Sequence, residues 1–339
     1  MRAVVMRQWG PPDVLQLEDV PVPDIRPDEV LVKVGACGIP YHDIVQRNGA
    51  MRRGTEFPII LGYEIAGTVE RIGALVTTLK PGDRVCAKPW NSCGLCRYCR
   101  NSMETACVSR KMIHGGYADY VALPEEVLVT IPDQMGFAAA CTLGGAAGVS
   151  LNAVRDVAKV RLGDTMLITG ASGGCGLPAM QIARAAGATV IAHSRSELKR
   201  AELLEAGAHH VVVADGGQDF SRQVKSLTGG KGVDIVVDNV GSRVFTPSFK
   251  CLALGGRYVL VGQLFREEIS INPAYIFFQR AQILGVGSVR RDQLEDTVDL
   301  ARAGVIKPKV AGVMTLEEIA RAHGLVEAGD LVGRLVVEP

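Results

Sequence analysis

Four cysteines, Cys93, Cys96, Cys99 and Cys107, crowd into one short stretch around Gly94 with the spacing C-x2-C-x2-C-x7-C. Thiolates spaced in this way close a tetrahedral Zn²⁺ site of the structural kind, with no position left open for a substrate. An iron–sulfur cluster asks for a different run, ending C-x3-C-P. Zinc held by four thiolates keeps a net negative charge, and Arg97, Arg100 and Arg110 stand near enough in the chain to offset it. The spacing therefore predicts one structural zinc per chain, in a lobe over residues 91–108. The other cysteines, Cys37, Cys86, Cys141, Cys175 and Cys251, scatter as buried thiols commonly do.

A second chemical signal is the turn Thr169-Gly170-Ala171-Ser172-Gly173-Gly174-Cys175-Gly176, which follows an apolar run and precedes a helical pattern with Pro178 in its first turn. It fits G-x-G-x-x-G with Ala171 at the first glycine, Gly173 at the second and Gly176 at the third. Glycine lets backbone amides approach a pyrophosphate, and the helix start adds positive potential. Gly170, Ser172, Gly173, Gly174, Cys175 and Gly176 are thus predicted to hold a dinucleotide, with Asn239, Val261 and Gly262 beside it. An NAD site places an acidic residue at the end of the second strand, to take the ribose 2′-hydroxyl. The chain has Ser194, Arg195 and Ser196 there, with Lys199 one turn on. Ser194, Arg195 and Lys199 suit a 2′-phosphate, so the predicted cofactor is NADP(H).

The elements that must position these residues change grammar near residue 135. Before it the chain is turn-rich: Pro11-Pro12, Pro21-Val22-Pro23 and Pro81-Gly82-Asp83 punctuate strand-like runs such as 29–34, 65–72 and 117–123, and no helical period dominates. After it, apolar runs at 165–169, 189–193, 210–213, 234–238, 257–261 and 283–286 alternate with amphipathic stretches at 177–186, 197–206, 220–227 and 244–252. That alternation predicts an α/β fold, a doubly wound Rossmann domain with a six-stranded parallel sheet. With 339 residues, two domains are expected. A composition 47% hydrophobic and 22% charged, at net charge +1, gives no field for nucleic acid or an anionic membrane. No signal-peptide layout or membrane-length apolar run stands out, and the cysteine usage suits a reducing compartment, so the expected location is cytoplasmic.

Over essentially its full length the chain resembles the medium-chain dehydrogenase/reductase superfamily, the zinc alcohol dehydrogenase and quinone reductase relatives. The resemblance rests on Gly62-Tyr63-Glu64 with Ala66-Gly67, Pro81-Gly82-Asp83-Arg84-Val85, the four-cysteine lobe, the glycine turn, Asp238-Asn239-Val240-Gly241 and Val332-Gly333-Arg334-Leu335-Val336. Among its subfamilies the chain is most similar to the acryloyl-coenzyme A reductases. The resemblance implies a GroES-like β-rich catalytic domain, residues 1–135 and 300–339, around a Rossmann domain, residues 136–299. It also implies pairing of the edge strand across a twofold axis, hence a homodimer or homotetramer, with Tyr275, Ile276, Phe277 and Phe278 covering the contact.

Catalytic zinc in that family sits on a cysteine of a G-x-C-x-x-D segment, the histidine of G-H-E and a cysteine near the start of the long helix. In this chain Pro40 of Gly38-Ile39-Pro40-Tyr41-His42-Asp43 is read at the first position, Tyr63 at the second and Gly145 at the third, with Cys141 one turn away. Neither proline nor tyrosine is an ordinary zinc ligand. The implied chemistry is zinc-free: NADPH-dependent reduction of a C=C bond conjugated to a carbonyl, in an enoyl thioester, enone or quinone. Tyr63, His42 and Tyr41 are the candidate proton or hydrogen-bond donors, with water a fourth, and Asp43 a structural anchor. A rearranged metal site of Cys37, His42, Glu64 and Cys141, serving an alcohol dehydrogenase or carbonyl reductase, stays open, as does a non-catalytic NADPH-binding protein. The arginines of the loop 49–54 are placed to meet a coenzyme A phosphate.

Overall fold

The computed structural model describes residues 1–52, 55–215, 218–263 and 267–339; of the loop 49–54, Arg53 and Gly54 lie outside the described residues. The chain forms two compact units. The first comprises 1–148, 288–302 and 308–339, and the second comprises 149–287 and 303–307. The division therefore falls further along than residue 135, inside a continuous helical stretch, Phe137–Val157. Three glycines explain why the front of that stretch belongs to the first unit. A Cβ on Gly144 would lie 2.0 Å from the Ala87 carbonyl oxygen, one on Gly145 would lie 2.8 Å from Glu64, and one on Gly148 would meet Val289 at 2.7 Å. Bare backbone is what lets this helix press against the sheet. Residues 288–302 also join the first unit rather than the Rossmann domain assigned from sequence, because the Arg291–Arg302 helix packs on Leu143–Gly148. Phe137–Val157 is long and apolar enough to cross a membrane by length and composition, unlike the sequence expectation, and most of it is buried as a core helix is.

The first unit is built on β-structure. Its larger sheet runs in the order Val310–Thr315, Arg334–Glu338, Glu29–Gly38, Glu64–Ile72, Arg84–Ala87, Leu128–Thr130, with Tyr120–Pro124 also pairing to Glu29–Gly38. The Glu29–Gly38 strand has partners in three neighbouring strands, and all but three of its residues are buried, the mark of a central strand. Its register puts Cys37 opposite Ile65 and Gly38 opposite Glu64. The short helix Tyr41–Arg47 follows at once, after Pro40.

In the second unit six strands pair in parallel in the order His210–Val213, Thr189–Ser194, Thr165–Thr169, Val233–Asp238, Leu252–Leu260, Gln282–Gly285. The order reverses direction between Thr165–Thr169 and Val233–Asp238. In open parallel sheets that switch point opens a crevice at the carboxyl ends of the strands, here at Gly170 and Asn239. Phe245, Phe249 and Tyr258 pack with ring centroids 4.7 to 6.0 Å apart beneath it.

Candidate functional site

The Cys93, Cys96, Cys99 and Cys107 thiols converge within 4.8 Å of one another, the one group of three or more ligand-type side chains to do so among the described residues. Sulfur–sulfur separations of 3.5, 3.5 and 3.9 Å match the edge of about 3.8 Å that four Zn–S bonds of about 2.3 Å would span. The Cys96 N–H pulls the Cys93 thiol below its ordinary range, and the Cys99 N–H pulls Cys96 down to about 6. Burial pushes Cys99 up to about 12, so the cluster carries its full charge only beside a cation. These residues fit zinc. The nearby arginines are engaged otherwise than expected: Arg97 lies 4.7 Å over Tyr98, and Arg110 lies 4.9 Å over Trp90. The lobe is fastened by buried Lys88, which pairs with Glu104 at 3.3 Å and Glu126 at 2.9 Å.

In the second unit the glycine turn sits at the switch point. Gly170 has φ +57°, and a Cβ on Gly176 would fall 2.4 Å from the Gly170 carbonyl oxygen and 2.6 Å from Ala171 Cα, so the turn closes only on glycine there. Gly173 serves differently: its Cβ would meet nothing nearer than 3.4 Å, so space is left above the backbone for a ligand. Ser172 is reached by Lys199, whose ammonium donates to its hydroxyl at 3.4 Å. Ser194 caps the end of its strand by accepting from the Ser196 N–H at 3.1 Å, and Arg195 beside it is exposed. Asp238 is wholly buried and accepts from Thr169 and Tyr258 hydroxyls, each at 2.6 Å, and from the Val240 and Gly241 amides. It thereby fixes Asn239, which donates to the Thr169 carbonyl at 2.8 Å. The Asn239 Oδ1 is buried with no partner, an orphan acceptor in the crevice. A nicotinamide dinucleotide fits these residues. Val261 and Gly262 follow the next strand, their amides donating to the Asp238 carbonyl.

The first unit gathers His42 and Tyr63, whose rings meet edge-on at 5.3 Å and 87°. Tyr41 instead packs partly buried against the hydrophobic core. Asp43 is fully buried and accepts from the Tyr117 hydroxyl at 2.6 Å, so the anchor role holds. Glu64 is also fully buried, forked by Arg334 at 2.9 and 3.0 Å. Burial, against the pull of Arg334 and with the push of Asp43, raises its carboxyl from the ordinary 4.5 to about 7.

Pro40, read at the first zinc-ligand position, stands at the start of the helix Tyr41–Arg47. Cys37, three residues earlier in the strand, lies in the field of Cys141, Asp43 and Glu64. It does not meet the pattern, since the residue three on from Cys37 is Pro40 and not an aspartate, whereas Gly38 to Asp43 ends on Asp43. At the third position a Cβ on Gly145 would lie 2.8 Å from Glu64 and 2.9 Å from the Tyr63 ring, so this glycine faces Tyr63 and Glu64, with Cys141 one turn away. The donors here do not form a metal-ready set. Burial pushes both thiols well up, Cys37 Sγ points to the Gly38 carbonyl and Cys141 Sγ to that of Ala138, and Glu64 is taken by Arg334.

The family model for the alcohol dehydrogenase GroES-like domain matches residues 26–133, and that for zinc-binding dehydrogenase matches residues 174–303. An acryloyl-coenzyme A reductase of Sulfurisphaera tokodaii is 32% identical over 344 residues, covering 100% of each chain. The crystal structure of AibC, 38% identical, superposes with a TM-score of 0.93 over 100% of this chain and 96% of that one. The crystal structure of an NAD-dependent alcohol dehydrogenase, 34% identical, superposes with a TM-score of 0.95 over 100% of both.

Proposed function

The chain belongs to the medium-chain dehydrogenase/reductase superfamily, and from that premise we propose that it is an NADPH-dependent reductase of a C=C bond conjugated to a carbonyl, working without a catalytic metal. The observation that carries this reading is Tyr63 at the histidine position, edge-on to His42 and beside a Glu64 already neutralised by Arg334. An activated alkene suits such a site: it takes hydride at its β-carbon and asks only for hydrogen bonds to the carbonyl oxygen and a proton at the α-carbon. A carbonyl or alcohol normally leans on a metal as Lewis acid.

Bound NADPH would supply the hydride. Arg195 and Lys199 would pair with its 2′-phosphate, and the Gly174 and Cys175 amides would face its pyrophosphate where Gly173 leaves room. Tyr63 and His42 would donate to the substrate oxygen as negative charge grows there, and one of them would return a proton to the α-carbon. Zinc at Cys93, Cys96, Cys99 and Cys107 would hold the lobe and take no part in the reaction. The molecule would assemble as a homodimer or homotetramer.

A second reading, a metal-assisted alcohol dehydrogenase with a rearranged site of Cys37, His42, Glu64 and Cys141, is favoured by the two buried thiols in the field of Glu64. The discriminating experiment follows NADPH oxidation with enoyl thioesters, enones, quinones and aldehydes, before and after a chelator too weak to strip the lobe. Turnover of the conjugated alkenes that the chelator leaves intact supports the proposal. Turnover confined to aldehydes and lost with the chelator replaces it with the second reading, and tight NADPH binding with no turnover on any acceptor leaves a binding protein.

A further inference from the structure

Asp43 does more than anchor a helix. Its Oδ2 accepts the Tyr117 hydroxyl at 2.6 Å, whereas its Oδ1, equally buried, has no hydrogen-bond partner among the described residues. The Nδ1 of His42 is also buried without a partner. The two orphans face each other at 3.8 Å. Neighbours on a helix ordinarily diverge, so this convergence in the first turn of Tyr41–Arg47 is a local arrangement and not a by-product of helical geometry. Unpaired buried acceptors are costly, and a carboxylate more so than most; catalytic hydrogen bonds are often long in the free enzyme and tighten in the complex.

Of the other groups around the pair, His114 and His323 also carry buried nitrogens without a partner among the described residues. Glu64 is occupied by Arg334. Burial lowers the proton affinity of His114, which lies in the field of both Asp43 and His42. Burial likewise lowers His323 to about 4, so it stands neutral behind Tyr117, their rings 5.7 Å apart. Arg47 is drawn away to Glu327 at 2.7 Å, and Cys37 points to the Gly38 carbonyl. Tyr63, edge-on at 5.3 Å, limits rotation of the His42 ring from another side.

We propose that Asp43 is a positioning residue for His42: it holds the imidazole as the tautomer protonated at Nδ1, leaving Nε2 as the nitrogen free for proton transfer, while Tyr117 decides which carboxylate oxygen faces the ring. The tautomer itself follows from the Asp43 geometry, and its use in proton transfer rests on the reductase reading above. In Asp43→Asn the Tyr117 hydroxyl, a stronger donor than acceptor, keeps the amide oxygen, so the amide NH₂ turns toward His42. Nδ1 must then accept, and the ring switches to the Nε2-protonated form. In Asp43→Asn with Tyr117→Phe the amide is free to turn back.

Nitrogen-15 NMR of histidine-labelled protein reads the tautomer directly and needs no substrate. The wild type and Tyr117→Phe should show His42 protonated at Nδ1, Asp43→Asn at Nε2, and the double variant a return toward Nδ1. Turnover of the best conjugated alkene should fall about 10²-fold in Asp43→Asn with KM for NADPH unchanged, and recover in part in the double variant. A wild-type His42 protonated at Nε2, or an Asp43→Asn protein of native circular dichroism with an unaltered tautomer, overturns the proposal. An inverted tautomer with unchanged turnover overturns the part played by His42 in proton transfer and leaves the geometric assignment standing, so the two failures are separable.

Discussion

Arg334 holds the most telling charge at the residue scale. Its guanidinium is what pulls against burial at Glu64, whose carboxyl stands at about 7. Between 4.5 and about 7 the unfolded chain has lost this proton and the folded one has kept it, so stability falls as pH rises through that window and then levels off. Removing the guanidinium extends the window upward. Arg334→Leu should therefore lose stability relative to wild type increasingly above pH 7, by up to about 1.4 kcal/mol per pH unit until Glu64 ionises. Urea denaturation from pH 6 to 9 measures this; a gap between the proteins that does not change with pH would mean that Glu64 ionises normally. Cofactor choice is a second prediction at this scale. Arg195→Asp should weaken NADPH by about 2 kcal/mol, roughly thirtyfold, and leave NADH less affected, since it replaces attraction to a 2′-phosphate with repulsion. Wild-type protein that binds both cofactors equally tightly refutes the specificity argument.

Among elements, the glycine turn makes a paired prediction. Gly176→Ala drives a methyl into the Gly170 oxygen at 2.4 Å and should destabilise the second unit by about 1–3 kcal/mol. Gly173→Ala meets only that oxygen at 3.4 Å, so it should leave the melting temperature nearly unchanged while weakening NADPH. Equal melting temperatures for the two variants would refute the distinction. The turn and all six parallel strands are legible in the sequence, because buried parallel strands read as short apolar runs and a pyrophosphate turn needs glycine at fixed intervals. The helix Tyr41–Arg47 is not, since 7 residues give too few turns for a period to show. The site in the first unit is legible only in part. The residues His42, Tyr63 and Glu64 can be picked from motifs, but the pairing of Gly38 with Glu64 depends on strand register. The Asp43–Tyr117 bond joins residues 74 positions apart, which no local pattern encodes. The long helix misled on domain boundaries because its glycines serve close approach, and a glycine that packs looks in sequence like one that turns.

For the whole molecule the edge of the second sheet is the feature that asks for a partner. Among the described residues Gln282–Gly285 pairs on one side alone, with Leu252–Leu260, and the helix before it exposes Tyr275, Phe277 and Phe278 at 61%, 75% and 74%. An open edge flanked by exposed aromatics invites association. Light scattering at micromolar concentration should give a dimer or tetramer, and Phe277→Glu with Phe278→Glu should shift it toward monomer; a monomeric wild type contradicts this. Metal analysis should return one zinc per chain, lost when Cys96 becomes Ser. A second zinc at full occupancy would count against the metal-free reading. The central claim, hydride delivery to an activated alkene, is tested most directly by the fate of the label. NADPH deuterated at the transferring position, incubated with an enoyl thioester in ordinary water, should yield the saturated thioester with deuterium at the β-carbon and a solvent proton at the α-carbon. Deuterium found instead on a carbinol carbon, from reduction of an aldehyde or ketone, would contradict the account.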